Sequence, residues 1–273
     1  GGSLMKDRSE IIRSATIYSL VFVLVFPLLI LTLWAFTGSW PWPNLLPQTW
    51  TLEGWQYFFN PVNGALEALQ TSFVIGLGVT ILALAVSIPA GKALGVYDFP
   101  GKEFMKIFVL APIIVPPLAV TLGIHVNFIK FGLSDSLIGV ILVHLIPTIP
   151  YAIRILTNVF EAVGNKMEAQ AQVLGANMWQ RFIHVTLPLI YPGIFSAGIM
   201  VFIVSFSQYF LTFLIGGGQV VTFPMVLFPL VNSGDRMLAA VYSLVFIGAA
   251  LFFTMIMERL FKSGDERSDH FYL

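Results

Sequence analysis

The sequence has no cysteine and few charged side chains, and both shortages narrow what the chain can do. Without cysteine there is no disulfide framework, no thiolate nucleophile and no cysteine-based metal site. Lysine, arginine, aspartate and glutamate make up 10% of the residues, and their charges sum to zero. Because nucleic-acid-binding surfaces are usually basic, we expect no nucleic-acid partner.

The motifs of common catalytic sites are also missing. Gly91-Lys92 lacks the upstream glycine of a phosphate-binding loop and is followed by alanine, so the chain itself is not expected to bind ATP. Neither HExxH nor GxSxG occurs. We therefore expect no catalytic residue, no bound metal, no cofactor and no enzyme activity. The scattered histidines are predicted to be satisfied helix-end or surface residues rather than metal ligands: His125, His144, His184 and His270.

The chain is instead 57% hydrophobic, which favours a lipid bilayer as its surroundings. A transmembrane helix needs about 20 mostly apolar residues. The pattern predicts an all-α membrane protein with six transmembrane helices in one domain, residues 5–273. Residues 1–4, ahead of Met5, are typical of a cloning remnant, and the first span is too long for a cleaved signal. The predicted spans are residues 14–36, 69–94, 104–128, 137–160, 187–215 and 238–260.

Lysine and arginine indicate the orientation of these spans, because cytoplasmic loops carry an excess of both. Of the 14, eleven fall on one side, Lys130 and Arg236 fall on the other, and Arg154 lies within the fourth span. Both termini and the segment 161–186 are therefore predicted to be cytoplasmic. On the opposite side, the loop GSWPWPNLLPQTWTLEGWQYFF is rich in tryptophan. It is typical of an interfacial aromatic belt, or alternatively of a docking surface for an external partner.

Ionisable residues inside a membrane span are functional by default, and prolines there break or kink the helix. Arg154 is expected to reach the interface or to pair with Glu161. No carboxylate lies in the middle of a predicted span, which disfavours a proton-coupled carrier.

Pro112, Pro116 and Pro117 are expected to break or kink the third span. Such a break either serves packing or shapes a translocation path.

The stretch EAQAQVLGANMWQRFIHVTLPLIYPGI links the fourth predicted span to the fifth, and its first half is too polar for lipid. Asn165 is predicted to cap a short helix that carries Glu168 at its third position and ends at a left-handed Gly175. Asn177 is predicted to cap a second short helix, residues 178–185, with Trp179, Phe182 and Ile183 on one side. A compact helix–turn–helix that docks a protein is favoured over a lipid-surface helix, which is usually more basic.

Here the sequence resembles the integral-membrane permease subunits of binding-protein-dependent, type I ABC importers. Their Glu-Ala-Ala signature is followed by Gly and then by a hydrophobic-x-Leu-Pro, which Gly175-Ala176 and Val185-Thr186-Leu187-Pro188 match. The family glutamate corresponds to Ala169, so Glu168 lies one position early, and Gln170 replaces the first alanine. The resemblance implies that the following residues couple the chain to an ATPase: Glu168, Ala169, Ala171, Gly175, Ala176, Leu187 and Pro188.

The stretches LAPIIVPPLAVTLGI, HLIPTIPYAIRI and FIVSFSQYFLTFLIGGGQVVTFPMVLF are similar to the spermidine/putrescine, thiamine, ferric-iron and phosphonate branch. The resemblance implies a multi-pass protein of the bacterial inner membrane that forms half of a translocation pore. Its implied partners, besides the lipid bilayer, are a second homologous permease subunit, two ATPase subunits that bind ATP and Mg, and an extracytoplasmic solute-binding protein.

The solute is expected to be small and polar or charged: a polyamine, thiamine, a phosphonate or ferric ion. Polyamine permeases tend to carry acids where this chain has 205–209, SFSQY, which weakens the polyamine interpretation. A secondary transporter and an ABC exporter or membrane scaffold without an ATPase partner are the alternatives. The candidate pore-lining residues, which alternatively only join helices by hydrogen bonds, are Thr121, Asn127, Ser205, Ser207, Gln208 and Tyr209.

Overall fold

A computed structural model describes residues 2–269, with side chains over 13–116 and 119–260. Most of the described chain is helical. Its helices, in order, are α1 (Gly2–Ala35), α2 (Glu53–Phe59), α3 (Ala65–Val96), α4 (Lys102–Ile114), α5 (Pro117–Lys130), α6 (Leu137–Val163), α7 (Lys166–Val173), α8 (Met178–Arg181), α9 (Leu187–Phe206), α10 (Phe210–Gly216), α11 (Phe223–Ser233) and α12 (Arg236–Asp269). Between them lie strands β1 (Thr37–Ser39) and β2 (Thr49–Trp50), a 3-10 turn (Pro61–Asn63) and a π turn (Phe182–Thr186).

The prediction of six spans is confirmed by length and composition. A sixth span is counted when the bent pair Lys102–Ile114 and Ala119–Lys130 is taken as one crossing. The five unbroken spans within the described residues are Arg13–Ala35, Ala65–Val96, Leu137–Val163, Met178–Phe206 and Arg236–Leu260.

The chain divides into two compact units, and the first is formed by its N-terminal part up to Leu66 together with Leu227–Gly248. In it β1 and β2 pair as a short antiparallel ribbon, and the guanidinium of Arg236 lies 5.0 Å from the centre of the Trp34 ring. Phe58 packs edge to face on the buried Tyr242. Aromatic side chains thus supply much of the packing in this unit.

The second unit contains Glu67–Val226 and the chain from Ala249 onward. Its core lies where α3, α6 and α9 pack together, and aliphatic side chains of these helices fill it together with the ring of Phe160. Glycines allow the helices to approach closely, as expected where lipid supplies no hydrophobic drive for helix association. A Cβ at Gly95 of α3 would lie only 2.7 Å from the Cβ of Phe160 in α6.

The third span is broken where the prolines predicted a break. Helix α4 ends at Ile114, Val115 is extended, and α5 begins at Pro117 after a bend of 89°. Proline suits the first turn of a helix, since an N–H there has no intrahelical partner. The prolines of α6, by contrast, leave that helix unbroken.

The fifth span departs from the prediction at both ends. The predicted 187–215 helix is wrong at its C-terminal end, because α9 ends at Phe206 and the chain continues as the separate α10. At its start, α8 runs through the π turn directly into α9. The predicted separate second helix is therefore wrong: residues 178–185 are the beginning of the span. Pro188 has no N–H for a regular bond to residue 184, and the wider π turn precedes it.

Candidate functional site

The polar segment 161–186 leaves α6, forms α7, and re-enters the long helix that contains α9. Asn165 occupies the predicted cap position, but its φ of −116° and ψ of 0° are not those of a capping residue. Its side chain makes no capping hydrogen bond in the described structure, so that prediction is wrong. Glu168 is the third residue of α7 as predicted, yet its carboxylate is used elsewhere.

Gly175 ends α7 in the left-handed conformation, with φ +88°, as the sequence predicts. The N–H of Ala176 donates to the carbonyl of Ala171 at 3.0 Å, and the N–H of Gly175 donates to that of Gln172 at 3.0 Å. These two bonds form a Schellman motif, which satisfies the last carbonyls of the helix. Ala171, Gly175 and Ala176, all singled out in the sequence, therefore share one structural role, which is to reverse the direction of the chain.

Asn177 starts the next helix, and this prediction is confirmed. Its Oδ1 accepts from the N–H of Gln180 at 2.9 Å, while the Gln180 Oε1 accepts from the Asn177 N–H at 2.9 Å. This reciprocal capping box fixes the direction in which α8 leaves the turn. Because α8, the π turn and α9 are continuous, the chain reversal at Gly175 is joined directly to a membrane span. Leu187 and Pro188 lie at that junction.

The segment presents an exposed apolar surface, which we call the coupling surface. Val173 and Leu174 are each 87% exposed, and Met178 and Trp179 are nearly as open. Of the three side chains predicted to share one side, Trp179 and Ile183 are exposed, whereas Phe182 is half-buried. Exposed apolar patches mark sites of contact with a protein or a membrane. The coupling surface comprises Met167, Val173, Leu174, Met178, Trp179 and Ile183.

Glu168 binds within the chain. Its carboxylate accepts from the Lys92 ammonium at 2.7 and 2.8 Å and from the hydroxyl of Thr186 at 3.1 Å. Burial raises the pKa of Glu168, but the hydrogen bonds from Lys92 and Thr186 and the charges of Lys92 and Arg181 outweigh it and hold that pKa below the usual value. A carboxyl group whose pKa is lowered by folding stabilises the folded protein at any pH above its usual pKa. This stabilisation is lost only when the pH falls through the lowered pKa. The contact is therefore present at neutral pH.

A buried polar cluster lies beside the break between α9 and α10. His144 of α6 is fully buried; its Nδ1 lies 2.9 Å from Ser205 Oγ and its Nε2 lies 2.9 Å from Thr212 Oγ1. The prediction that His144 is a helix-end or surface residue is therefore wrong. The sequence feature that could have indicated a polar cluster is Thr148, four residues after His144, because residues four apart lie on the same face of a helix. Thr148 is also buried, and it donates to the His144 carbonyl.

The other candidate pore residues are divided between buried and open positions. Thr121 is buried, and Asn127 lies exposed further along α5. Ser207 is exposed and donates to the Val204 carbonyl, while Gln208 and Tyr209 are half-buried. The last three form the non-helical break, a backbone arrangement tolerated at membrane depth only inside protein or beside a cavity.

Arg154 has an exposed side chain, and its reach to the interface stays a prediction. The alternative pairing with Glu161 is not the one observed among the described residues. The Glu161 carboxylate accepts instead from Lys106 of α4 at 3.0 Å. Arg154, Asn158 and Thr157 line the adjoining groove between α4 and α6.

We expect His144→Phe to destabilise the protein, because it leaves the hydroxyls of Ser205 and Thr212 in a buried site without their shared partner. The expected loss is about 1–3 kcal/mol of the free energy of unfolding. Thermal unfolding of the purified protein in detergent measures it. His184→Phe, at an exposed position, is the matched control. Equal midpoints for the two variants would show that the cluster contributes no stability.

Comparison with known proteins identifies the family. Residues 87–267 match the binding-protein-dependent transport system inner membrane component, over about two thirds of the chain. The molybdate/tungstate transport system permease protein WtpB of Thermococcus kodakarensis is 32% identical over 143 residues, which are 52% of this chain and 58% of that protein. The putative 2-aminoethylphosphonate transport system permease protein PhnV of Salmonella typhimurium is 27% identical over 252 residues, 91% of this chain and 94% of that protein.

A solved structure shows the same fold. It is a bacterial ABC transporter involved in the import of the acidic polysaccharide alginate, and it aligns with a TM-score of 0.71 at 14% sequence identity. The alignment covers 93% of this chain and 97% of that one. The predicted permease fold and inner-membrane location are confirmed, and neither alternative class, secondary transporter or scaffold, fits these relatives. The chain therefore belongs to the inner-membrane components of binding-protein-dependent transport systems, as a multi-pass permease component of an importer.

Proposed function

We propose that the chain forms half of a translocation pore and that its coupling surface docks on an ATPase subunit. The observation that carries this proposal is the reversed segment between α6 and α9, whose capped turn exposes apolar side chains. An exposed apolar patch rimmed by polar residues is typical of an interaction site, and the polar turn around it favours a protein partner. In this proposal the segment and both termini lie in the cytoplasm.

The proposed assembly contains a second permease subunit, two ATPase subunits and an extracytoplasmic binding protein. ATP and Mg bind to the ATPases, since this chain has no phosphate-binding loop. The chain itself binds no cofactor and catalyses no reaction in this proposal. The membership of the family supports the assembly in outline.

Movement of the ATPases would reach the pore through one continuous helix. The path starts at the coupling surface, passes the π turn, and follows α9 to its end at Phe206. The non-helical residues Ser207, Gln208 and Tyr209 come next, so a displacement of α9 shifts the break. ATP and the loaded binding protein can drive such a change only by binding two states of this element with different affinity.

We propose an oxyanion as the solute. At the break the chain has a serine, an amide and a phenol, none of which balances the charge of a polycation in low dielectric. The Gln208 amide and the Tyr209 phenol can donate hydrogen bonds to an anion, whereas the Ser207 hydroxyl already donates to the Val204 carbonyl. The names of two relatives support this class, because one refers to 2-aminoethylphosphonate and the other to molybdate and tungstate. Polyamines, thiamine and ferric ion remain the competing solutes.

Reconstitution with the ATPase and the binding protein in liposomes tests the function. We expect ATP hydrolysis to rise when the loaded binding protein is added, and labelled solute to accumulate only with ATP present. Thermal shift of the binding protein compares 2-aminoethylphosphonate, molybdate and tungstate with spermidine, thiamine and ferric ion. A shift with spermidine alone would refute the oxyanion class, and uptake without ATP would refute the importer.

A further inference from the structure

We propose that Glu168 is a positioning residue that ties the coupling segment to α3 and to the π turn, rather than a charge that meets the ATPase. This proposal rests on the proposed function, because it assigns a role within the coupling of permease to ATPase. It concerns three residues from three elements: Lys92 of α3, Glu168 of α7 and Thr186 at the end of the π turn.

The contact has the geometry of a closed, partly buried ion pair. Both carboxylate oxygens of Glu168 lie within hydrogen-bond distance of the Lys92 ammonium, at 2.8 and 2.7 Å. The side chains of Lys92 and Glu168 are each only 20% exposed, and Thr186 is buried. A pair shielded in this way is screened by salt far less than an exposed pair. The carboxylate of Glu168 is therefore already bound to Lys92 and Thr186.

The direction of the side chain argues against a role at the ATPase. Successive residues of an α-helix point about 100° apart, so Glu168 and Ala169 face different surroundings. Ala169 is exposed and carries no charge, whereas the Glu168 carboxylate turns toward α3. The outward face of the segment is instead apolar, with Val173 and Leu174 the most open side chains. Docking by apolar contact therefore requires no charge from Glu168.

The tie gives the segment a second attachment to the membrane helices. Along the chain, α7 is connected to α9 through the turn at Gly175 and through α8. Through Glu168 it is also connected directly to α3 and to Thr186, without passing that turn. A load applied to the coupling surface would then reach α3 and α9 together. Without the tie, the Gly175 turn would flex and dissipate part of the movement.

Charge reversal tests the tie. We expect Lys92→Met and Glu168→Gln each to lower the ATP hydrolysis stimulated by the loaded binding protein by about fivefold or more. Both variants should still co-purify with the ATPase, because the coupling surface is unchanged. The reversed pair, Lys92→Glu with Glu168→Lys, should restore much of the stimulation. Asp98→Asn, which breaks an exposed pair with Lys102, should match the wild type.

Two outcomes would overturn the proposal. One is that Glu168→Gln loses the ATPase in co-purification while Lys92→Met keeps it, which would place the carboxylate at the partner. The other is that the reversed pair remains as impaired as the worse single variant. A double-mutant cycle on thermal unfolding of the permease alone measures the Lys92–Glu168 interaction without any partner. If the wild type shows no stimulation, the proposed function fails, and the cycle still decides whether the tie exists.

Discussion

Gly175→Val should abolish transport while leaving insertion into the membrane intact. At φ +88° a side chain with a branched Cβ is strongly disfavoured, and the left-handed region costs ordinary residues about 1–2 kcal/mol. The turn would relax to another conformation and lose the two bonds that end α7. Because the coupling surface spans this turn, its two halves would no longer lie in register. We expect stimulated ATP hydrolysis to fall about tenfold or more.

A clash of the added Cβ with neighbouring atoms cannot explain such a result, so control variants can isolate the effect of backbone conformation. A Cβ at Gly175 would meet no atom within 4 Å, so the variant tests backbone conformation alone. Gly175→Asn should retain much of the activity, since asparagine tolerates the left-handed region better than most residues. Gly101→Val imposes the same strain before α4, at φ +85° and also in open space. If the Gly101 and Gly175 variants lose stimulation equally, the turn has no special role in coupling.

The positions of the spans were predictable because hydrocarbon offers the backbone no hydrogen-bond partner. A chain in hydrocarbon must satisfy its own N–H and carbonyl groups, so a long apolar run without breakers forms a helix. Val115 and Pro116 interrupt the third span for an equally local reason, the missing N–H of proline. Gly175 and Asn177 were predictable in the same way, since each has a preferred place at a helix end.

The end of α9 was not predictable, because no breaker occupies it. Ser207, Gln208 and Tyr209 have no strong preference against helix. On either side of them, Ser205 and Thr212 both bind His144 of α6. That contact joins residues more than 60 positions apart, so a local pattern contains no trace of it. Tertiary contacts of this kind override local preference, and they need the fold to be known first.

Glu168 shows how a correct local placement can hide the role of a residue. Its position in the first turn of α7 favours a carboxylate through the helix dipole, and the sequence predicts it there. Its partner Lys92 is 76 positions away in α3. The family resemblance implied a docking role for Glu168, and in the structure its carboxylate binds Lys92 and Thr186.

Gly95→Ala should strongly impair folding. Its Cβ would lie 2.7 Å from the Phe160 Cβ and 2.8 Å from the Thr157 carbonyl oxygen. Neither atom can rotate away, because both are fixed by the backbone of α6, so α3 and α6 must separate. Overpacking of this kind typically costs about 1–3 kcal/mol, and separation of the helices would add lost contacts. The yield of monodisperse protein and its thermal midpoint in detergent measure the loss.

Gly198→Ala provides the matched control within the same unit. It adds the same methyl group to a helix glycine, but its nearest neighbours stand 3.6 Å away, at ordinary contact distance. That variant should be stable, and a shared loss of stability would contradict the role of close approach. Gly91 has the same tight contact one turn before Gly95, and Lys92 follows it directly. The close packing of α3 on α6 therefore also sets where Lys92 meets Glu168, so Gly95→Ala should lower stimulated ATP hydrolysis in whatever protein still folds.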